Sequence, residues 1–158
     1  MRLFKHNNAS SGLREGASEP DETGCPILPE REILEHVEEE MFRAGRYGRA
    51  LSLFALVAQT LPGEATPPRE VEAAAGAIAT SLRFCDRVGV LRNGVLIGVL
   101  PETGEDGARA VGHRIAVDLT IRSRGSTRRS WVAGAAEYPR DGQDPPALVQ
   151  FAIDAASR

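Results

Sequence analysis

The stretch that decides the fold is RVGVLRNGVLIGVLP, which covers Arg87–Pro101. Two runs rich in β-branched residues flank the dipeptide Asn93-Gly94 in this stretch. Asn and Gly both tolerate a positive φ, and an Asn-Gly pair between two such runs is typical of a tight β-hairpin. The stretch therefore predicts two antiparallel strands with Asn93-Gly94 at the tip.

Strand and helix patterns alternate on both sides of this hairpin. The apolar run LSLFALVA, Leu51–Ala58, has the length of a strand that is buried on both faces. Helices are predicted where apolar residues recur at spacings of three and four, or where good helix formers predominate. The first helix begins near Glu30, and the others cover 71–82, 105–117 and 146–156.

A second hairpin is predicted towards the C-terminal end, from Leu119–Arg124, a turn at Gly125 and Arg129–Ala136. The predicted order is then α-β-α-β-β-α-β-β-α, and no internal repeat is visible. Such an alternation implies an α/β (α+β) fold, in which helices pack on a mixed sheet. Crossovers on either side of a central hairpin predict a ferredoxin-like palm with about five strands.

Composition limits the class of protein and its partners. The chain has 158 residues, of which 42% are apolar and 26% charged, and this suits one soluble domain with a single core. The net charge of −3 gives no basic field that would attract nucleic acid. No run of about 18 apolar residues predicts a membrane span. We therefore expect no nucleic-acid partner, no membrane insertion and, without a secretion signal after Met1, a cytoplasmic location.

The N-terminal part of the chain differs from the rest. Residues 1–27 are polar and rich in Gly and Ser, which predicts a flexible arm ahead of one domain at 28–158. Two cysteines and three histidines without ligand spacing predict neither a disulfide framework nor a metal site. We therefore expect no cofactor.

The domain contains, in order, the segments LPER (Leu28–Arg31), RAGRYGRALSL (Arg43–Leu53), Asp86–Pro101 and SWVAGAAEYP (Ser130–Pro139). Together these segments resemble the diguanylate cyclase (GGDEF) family. Arg43–Leu53 (RAGRYGRALSL) resembles the end of that family's first helix and its first strand, and Leu28–Arg31 (LPER) resembles its LPNR segment. Asp86–Pro101 is similar to the stretch D-x-x-x-R-x-GGDEF-A-V-L-L-P, although Val90 replaces its Arg. Ser130–Pro139 (SWVAGAAEYP) resembles TVSIGVATYP. The resemblance implies the palm of a nucleotide cyclase.

The residues that carry catalysis in that family are replaced here. Its five signature positions hold, in order, Arg92, Asn93, Gly94, Val95 and Leu96. The metal-binding D-x-D at the end of its first strand is replaced by Val57, Ala58 and Gln59. Phosphoryl transfer needs cations that neutralise the charge on the triphosphate. The resemblance therefore implies a degenerate GGDEF-like domain that is not an enzyme.

One ligand site of the family has a counterpart in this chain. Many diguanylate cyclases bind cyclic di-GMP at an RxxD motif five residues before the signature, and Arg83 and Asp86 stand in that register. Arg114 falls where the family often carries a further Arg on the next helix. Arg can hydrogen-bond guanine or phosphate bidentately, and Asp can accept from guanine N–H groups. The resemblance implies a cyclic di-GMP receptor, and because this symmetric ligand often binds as a stacked pair, a homodimer would supply a second arginine surface.

Two other functions stay open at this point. Arg83 and Asp86 are also consistent with surface and capping residues at a helix end, because RxxD occurs often by chance. The chain would then be a protein-interaction scaffold in bacterial signalling that binds no nucleotide. Its docking surface would be a sheet edge, the N-terminal arm or a basic hairpin made of Arg122, Arg124, Arg128 and Arg129. The third function is an active nucleotide cyclase with an unfamiliar metal site.

Overall fold

The computed structural model describes residues 25–123 and 129–158, and these ranges contain five strands and four helices. The strands are β1 (Ile27–Pro29), β2 (Leu51–Gln59), β3 (Arg87–Val90), β4 (Leu96–Pro101) and β5 (Ser130–Tyr138). The helices are α1 (Glu30–Tyr47), α2 (Pro68–Ser81), α3 (Glu105–Arg122) and α4 (Pro145–Ala156). The four predicted helices are therefore confirmed, with α3 longer than expected.

All five strands form one mixed sheet in the order β1-β3-β4-β2-β5. β1 runs parallel to β3, and the other neighbouring pairs are antiparallel. β2 lies between β4 and β5, and Leu51–Leu56 pairs with both of them. The structure confirms the predicted mixed sheet of five strands and the ferredoxin-like palm around the β3-β4 hairpin.

The predicted second hairpin is wrong. Residues 119–122 continue α3 to its end, and the single strand β5 follows. The helix continues because Ile115 and Leu119 are both buried at a spacing of four residues, which fits a helix and not a strand. Residues 124–128, which include the predicted turn, lie outside the described ranges. The fifth strand is instead β1, whose residues pair with Val88–Val90.

The predicted basic hairpin is wrong for the same reason. Arg122 lies on α3 and pairs with Asp118 at 2.9 Å. Arg129 precedes β5, and its Nε lies 2.7 Å from Glu70 on α2, with only 11% of the arginine side chain exposed. Arg124 and Arg128 lie outside the described ranges. Arg122 and Arg129 therefore serve separate ion pairs and do not form one basic face.

Part of the stretch assigned to the N-terminal arm belongs to the folded layers. Cys25 is buried, and its N–H donates to the carbonyl oxygen of Ala79 at 3.1 Å. Ile27 is the first residue of β1. Residues 1–24 lie outside the described ranges, so a flexible arm over these residues stays a prediction.

Two apolar layers cover the two faces of the sheet. α2 and α3 pack on one face, where Phe54 and Ile78 are fully buried. α1 and α4 pack on the other face, where Ile33 and Leu53 are fully buried. β2 supplies both layers because successive side chains of a strand point to opposite faces. Burial of each such large side chain contributes about 1.5–3 kcal/mol to stability.

Two glycines in the sheet allow large side chains to lie directly against the backbone. A Cβ atom at Gly98 would lie 2.1 Å from the ring of Phe54, its register partner on β2. A Cβ atom at Gly89 would lie 2.4 Å from the side chain of Ile33 on α1. Real Cβ atoms do not approach other atoms so closely, so both positions exclude any larger residue.

The tip of the β3-β4 hairpin differs from the predicted two-residue turn. The N–H of Gly94 donates to the carbonyl oxygen of Leu91, and the N–H of Leu91 donates to that of Val95, both at 2.9 Å. Gly94 has a φ of 81°, whereas Asn93 does not have a positive φ. The loop therefore has three residues with a left-handed glycine at its end, which is a common hairpin loop.

Substitution of Gly98 by Ala tests the contact with Phe54. We expect Gly98→Ala to lower the free energy of unfolding by about 1–3 kcal/mol or more, because the new methyl group displaces the buried ring. Gly76→Ala is the matched control, since a Cβ at this position on α2 meets nothing within 4 Å. It should raise the free energy of unfolding by about 0.5–1 kcal/mol. Urea unfolding measures both, and equal stability of the two variants would contradict the packing argument.

Candidate functional site

The RxxD residues form a turn after α2 and not the end of the helix. α2 ends at Ser81, and Leu82 already has an extended backbone. The N–H of Asp86 donates to the carbonyl oxygen of Arg83 at 3.0 Å, which closes the turn. In return the N–H of Arg83 donates to Oδ2 of Asp86 at 2.8 Å. The two residues of the motif are therefore in direct contact through backbone and side chain.

The side chains of the motif are bound to each other as well. Nη2 and Nε of Arg83 lie 3.1 and 3.3 Å from the two carboxylate oxygens of Asp86. Nη2 also donates to Oγ1 of Thr103 at 2.9 Å and to the carbonyl oxygen of Pro101 at 3.3 Å. Hydrogen bonds to the Asp86 carboxylate raise the pKa of Arg83 above its usual value. The guanidinium is therefore a fixed cation.

The two residues differ in exposure. Only 3% of the Asp86 side chain is exposed, compared with 59% of the Arg83 side chain. The carboxylate is occupied by Arg83, so in this conformation it positions the guanidinium and does not face solvent. The Nη1 atom of Arg83 forms no hydrogen bond with any residue in the described ranges. The guanidinium is thus the group of this pair that can meet a ligand.

Phe84 lies between these two residues and is 90% exposed. Its carbonyl oxygen accepts a hydrogen bond from Nη1 of Arg87 at 2.7 Å, and the same atom donates to the carbonyl oxygen of Asp86. The Arg87 side chain therefore fixes two carbonyl groups of the turn, while the aromatic ring of Phe84 stays in solvent. No sequence pattern distinguishes Phe84 from a core aromatic residue, and its exposure is visible only in the structure.

Arg114 is exposed on α3, which packs on the same face of the sheet as α2. Within the described ranges it forms no hydrogen bond or ion pair with Arg83 or Asp86. The structure brings Arg83 and Asp86 together but does not join Arg114 to them. Convergence of all three residues on one ligand stays a prediction.

The five signature residues occupy the tip of the hairpin and the start of β4. Arg92, Asn93 and Gly94 form the loop. Val95 is 6% exposed and Leu96 is fully buried, so both side chains belong to the apolar layers. This hairpin thus places apolar side chains, and no carboxylate, where β4 begins.

A carboxylate reaches the hairpin from another element. Oε2 of Glu30, at the start of α1, accepts a hydrogen bond from the N–H of Arg92 at 3.0 Å and lies 3.5 Å from its Nε. Glu30 thereby fastens the hairpin loop to α1. No local pattern in the sequence predicts this contact, because the two residues are 62 positions apart.

No group of three or more His, Cys, Asp or Glu side chains in the described ranges is arranged to hold a metal ion. No helix there has the length and apolar character needed to cross a bilayer.

Comparison with solved structures assigns the fold. The GGDEF domain of YfiN (TpbB) from Pseudomonas aeruginosa matches with a TM-score of 0.64 at 19% identity over 83% of each chain. The active GGEEF domain of a diguanylate cyclase from Vibrio cholerae matches with a TM-score of 0.72 at 14% identity, over 84% of this chain and 90% of that one. The chain has the fold of GGDEF diguanylate cyclase domains. No family model and no curated protein matches the sequence.

A third structure with the GGDEF fold is more similar in sequence. The diguanylate cyclase SiaD from P. aeruginosa, in complex with its activator SiaC, is 25% identical, with a TM-score of 0.68 over 92% of this chain and 58% of that one. These comparisons confirm the resemblance to GGDEF domains. In this chain the RxxD turn precedes β3, and the signature loop, Arg92–Gly94, follows it. The two candidate sites therefore lie at opposite ends of one strand.

The structural role of Asp86 in the turn can be tested by its removal. We expect Asp86→Ala to lower the free energy of unfolding by about 1–3 kcal/mol, because the N–H of Arg83 loses its acceptor. Asp118→Ala is the matched control, since it removes an exposed pair with Arg122 on α3 and should change stability by less than about 0.5 kcal/mol. Urea unfolding of both variants gives the difference, and equal values would contradict the clamp in the turn.

Proposed function

We propose that this chain is a cyclic di-GMP receptor without cyclase activity, and that the RxxD turn is its ligand site. The observation that carries the proposal is the state of Arg83. Its guanidinium is charged, fixed by Asp86 and Thr103, and largely exposed. Nη1, the nitrogen of this guanidinium without a partner in the described ranges, can donate to a phosphate oxygen or to the Hoogsteen edge of guanine, both of which cyclic di-GMP offers.

Phe84 adds a second contact for the same ligand. An aromatic ring that is 90% exposed beside a fixed guanidinium offers a surface on which a purine base can stack. Stacking of a base on an aromatic side chain contributes about 1–3 kcal/mol. The hydrogen bonds from Arg87 fix the backbone of Phe84, so less conformational freedom is lost when the ring meets a base.

Asp86 and Arg114 have different parts in this proposal. The Asp86 carboxylate holds Arg83 in place, and it contacts guanine only where the ligand displaces that guanidinium. Arg114 is exposed on α3 and supplies the further cation. A GGDEF domain with this fold, that of DgcB from Caulobacter crescentus, has been solved in complex with c-di-GMP. Its TM-score with this chain is 0.68.

The absence of cyclase activity rests on which residues replace the carboxylates. Gly94 and Val95 stand at the acidic signature positions, and Val57 and Gln59 stand where the family resemblance implies the D-x-D. Transfer of a nucleotidyl group needs divalent cations between the triphosphate oxygens, and carboxylates are the ligands that Mg²⁺ prefers in proteins. None of these four residues carries a carboxylate.

The first test of the receptor proposal is titration with cyclic di-GMP in a calorimeter. We expect the wild type to bind and Arg83→Ala to bind about 10- to 100-fold more weakly, because one charge-assisted contact contributes about 1.5–3 kcal/mol. Phe84→Ala should also bind more weakly, and Phe84→Trp should restore affinity. Arg31→Ala is the control, since Arg31 is an exposed arginine on α1, on the other face of the sheet. Absence of binding by the wild type, or equal binding by Arg83→Ala, would refute the proposal.

The second test concerns the reaction. Incubation of the chain with GTP and either Mg²⁺ or Mn²⁺ should give no cyclic dinucleotide above a protein-free blank, as measured by chromatography. An active GGDEF domain under the same conditions is the positive control. Metal-dependent product from this chain would show that an unfamiliar metal site exists and would overturn the second half of the proposal.

A protein-interaction scaffold is the second candidate function. The observation that favours it is an exposed apolar pair on α3, Val117 and Ile121, which are 45% and 54% exposed at a spacing of four residues. SiaD, the GGDEF protein that is 25% identical, was solved with a protein activator. If the wild type does not bind cyclic di-GMP in the titration above, the scaffold is the function that the structure supports.

A further inference from the structure

β5 is an edge strand, and its free side can be assigned residue by residue. β5 pairs with β2 along its whole length in an antiparallel register without a bulge. The N–H of Trp131 donates to Oγ1 of Thr120 on α3 at 2.9 Å, so it points away from β2. Backbone groups of a strand alternate in direction, so those of Ala133, Ala135 and Glu137 also point away from β2.

The C-terminal end of this free side is closed by the chain itself. The N–H of Glu137 donates to Oδ2 of Asp141, and the N–H of Asp141 donates to the carbonyl oxygen of Glu137, both at 2.9 Å. A hydrogen bond from Arg140 lowers the pKa of Asp141, which keeps this carboxylate charged as an acceptor. At the other end, Oγ1 of Thr120 accepts the hydrogen bond from the N–H of Trp131. The outward N–H group at each end of β5 therefore has an acceptor within the chain.

The middle of the free side is open. Within the described ranges, the outward N–H and C=O groups of Ala133 and Ala135 have no hydrogen-bond partner. They face a groove of about 650 Å³ between α3 and α4. Ala135 is only 5% exposed, and backbone groups at such depth are normally hydrogen-bonded. The groove therefore presents two donors and two acceptors at the spacing of a β-strand.

The two walls of the groove differ in chemistry. Arg109 and His113 of α3 line one wall, and Phe151 and Ala155 of α4 line the other. Side chains of a strand placed between them alternate between the walls. Every second residue would meet charged and polar groups, and the residues between would meet an apolar surface. The small side chain of Ala155 leaves room for these residues.

We propose that this groove binds an extended segment of a partner protein, which adds a sixth strand to the sheet beside β5. Alternating donors and acceptors at strand spacing match another peptide backbone, and main-chain hydrogen bonds of this kind are how exposed sheet edges recognise peptides. A second copy of the chain fits less well, because α3 and α4 both pack on β5 and the copy would bring its own pair of helices to the same place. The preferred segment alternates polar and apolar residues. This inference is independent of the cyclic di-GMP site.

Hydrogen exchange of the full chain, followed by NMR, tests the inference directly. In the free protein the amides of Ala133 and Ala135 should exchange at least about tenfold faster than those of Val132 and Gly134, which bond to β2. The probe is a blocked heptapeptide of alternating threonine and valine at millimolar concentration. It should slow exchange at 133 and 135 by about tenfold or more and leave that at 131 and 137 unchanged.

Two variants complete the test. Ala133→Pro removes an outward N–H, which an edge strand tolerates, so the protein should fold but bind the heptapeptide at least about tenfold more weakly. Ala155→Phe leaves the backbone of β5 intact and fills the groove, and it should weaken binding in the same way. Val132→Pro is the matched control for folding, because it removes an N–H that bonds to β2 and should lower the unfolding midpoint.

Three results would overturn the inference. They are slow exchange of the 133 and 135 amides in the free protein, absence of heptapeptide binding by the wild type, and equal binding by wild type and Ala155→Phe. A peptide-dependent dimer in sedimentation, with no protection at 133 and 135, would likewise assign the surface to self-association and not to a partner strand.

Discussion

The pairing of β2 with β4 on one side and β5 on the other is the constraint on which the rest of this structure depends. β2 is buried on both faces and carries side chains into both apolar layers. Its register with β4 sets Phe54 over Gly98, and that contact fixes how closely the strand and the helices approach. Its register with β5 decides which backbone groups of the edge strand point away from β2. β4 belongs to the hairpin that carries the signature residues, so its pairing with β2 also positions this hairpin.

The elements that the sequence predicts correctly are those encoded by local periodicity. The β3-β4 hairpin follows from two short apolar runs around Asn93-Gly94, and the helices follow from spacings of three and four. The errors have a common physical cause, which is pairing between distant segments. β1 has three residues and gains its strand conformation only beside β3, some 60 positions later. Leu119–Arg122 has a composition that suits a strand, but Leu119 is buried four residues after Ile115 on the same side of α3, and this spacing favours a helix.

At the candidate site, too, one part can be predicted from the sequence and another part only from the fold. The register of Arg83 and Asp86 relative to the signature is a property of the sequence, and it can be read without a structure. What the two side chains do is a property of the fold, because Thr103 and the carbonyl oxygen of Pro101 complete the environment of Arg83 from the end of β4. β3 spans about 13 Å between the RxxD turn and the signature loop, at roughly 3.3 Å a residue. A ligand bound at the turn would thus lie one short strand away from the loop.

The burial of Val95 in the apolar layer makes an acidic residue at this position unfavourable. A glutamate at this position would place a charged carboxylate at a site where the present side chain is only 6% exposed, and an unpaired buried charge costs several kcal/mol. Gly94 adds a second barrier, because its φ of 81° strains most other residues. A domain with a total stability of about 5–15 kcal/mol would have to repack its hairpin before it could accept both acidic residues. Stepwise substitution from this sequence towards an acidic signature therefore passes through less stable proteins.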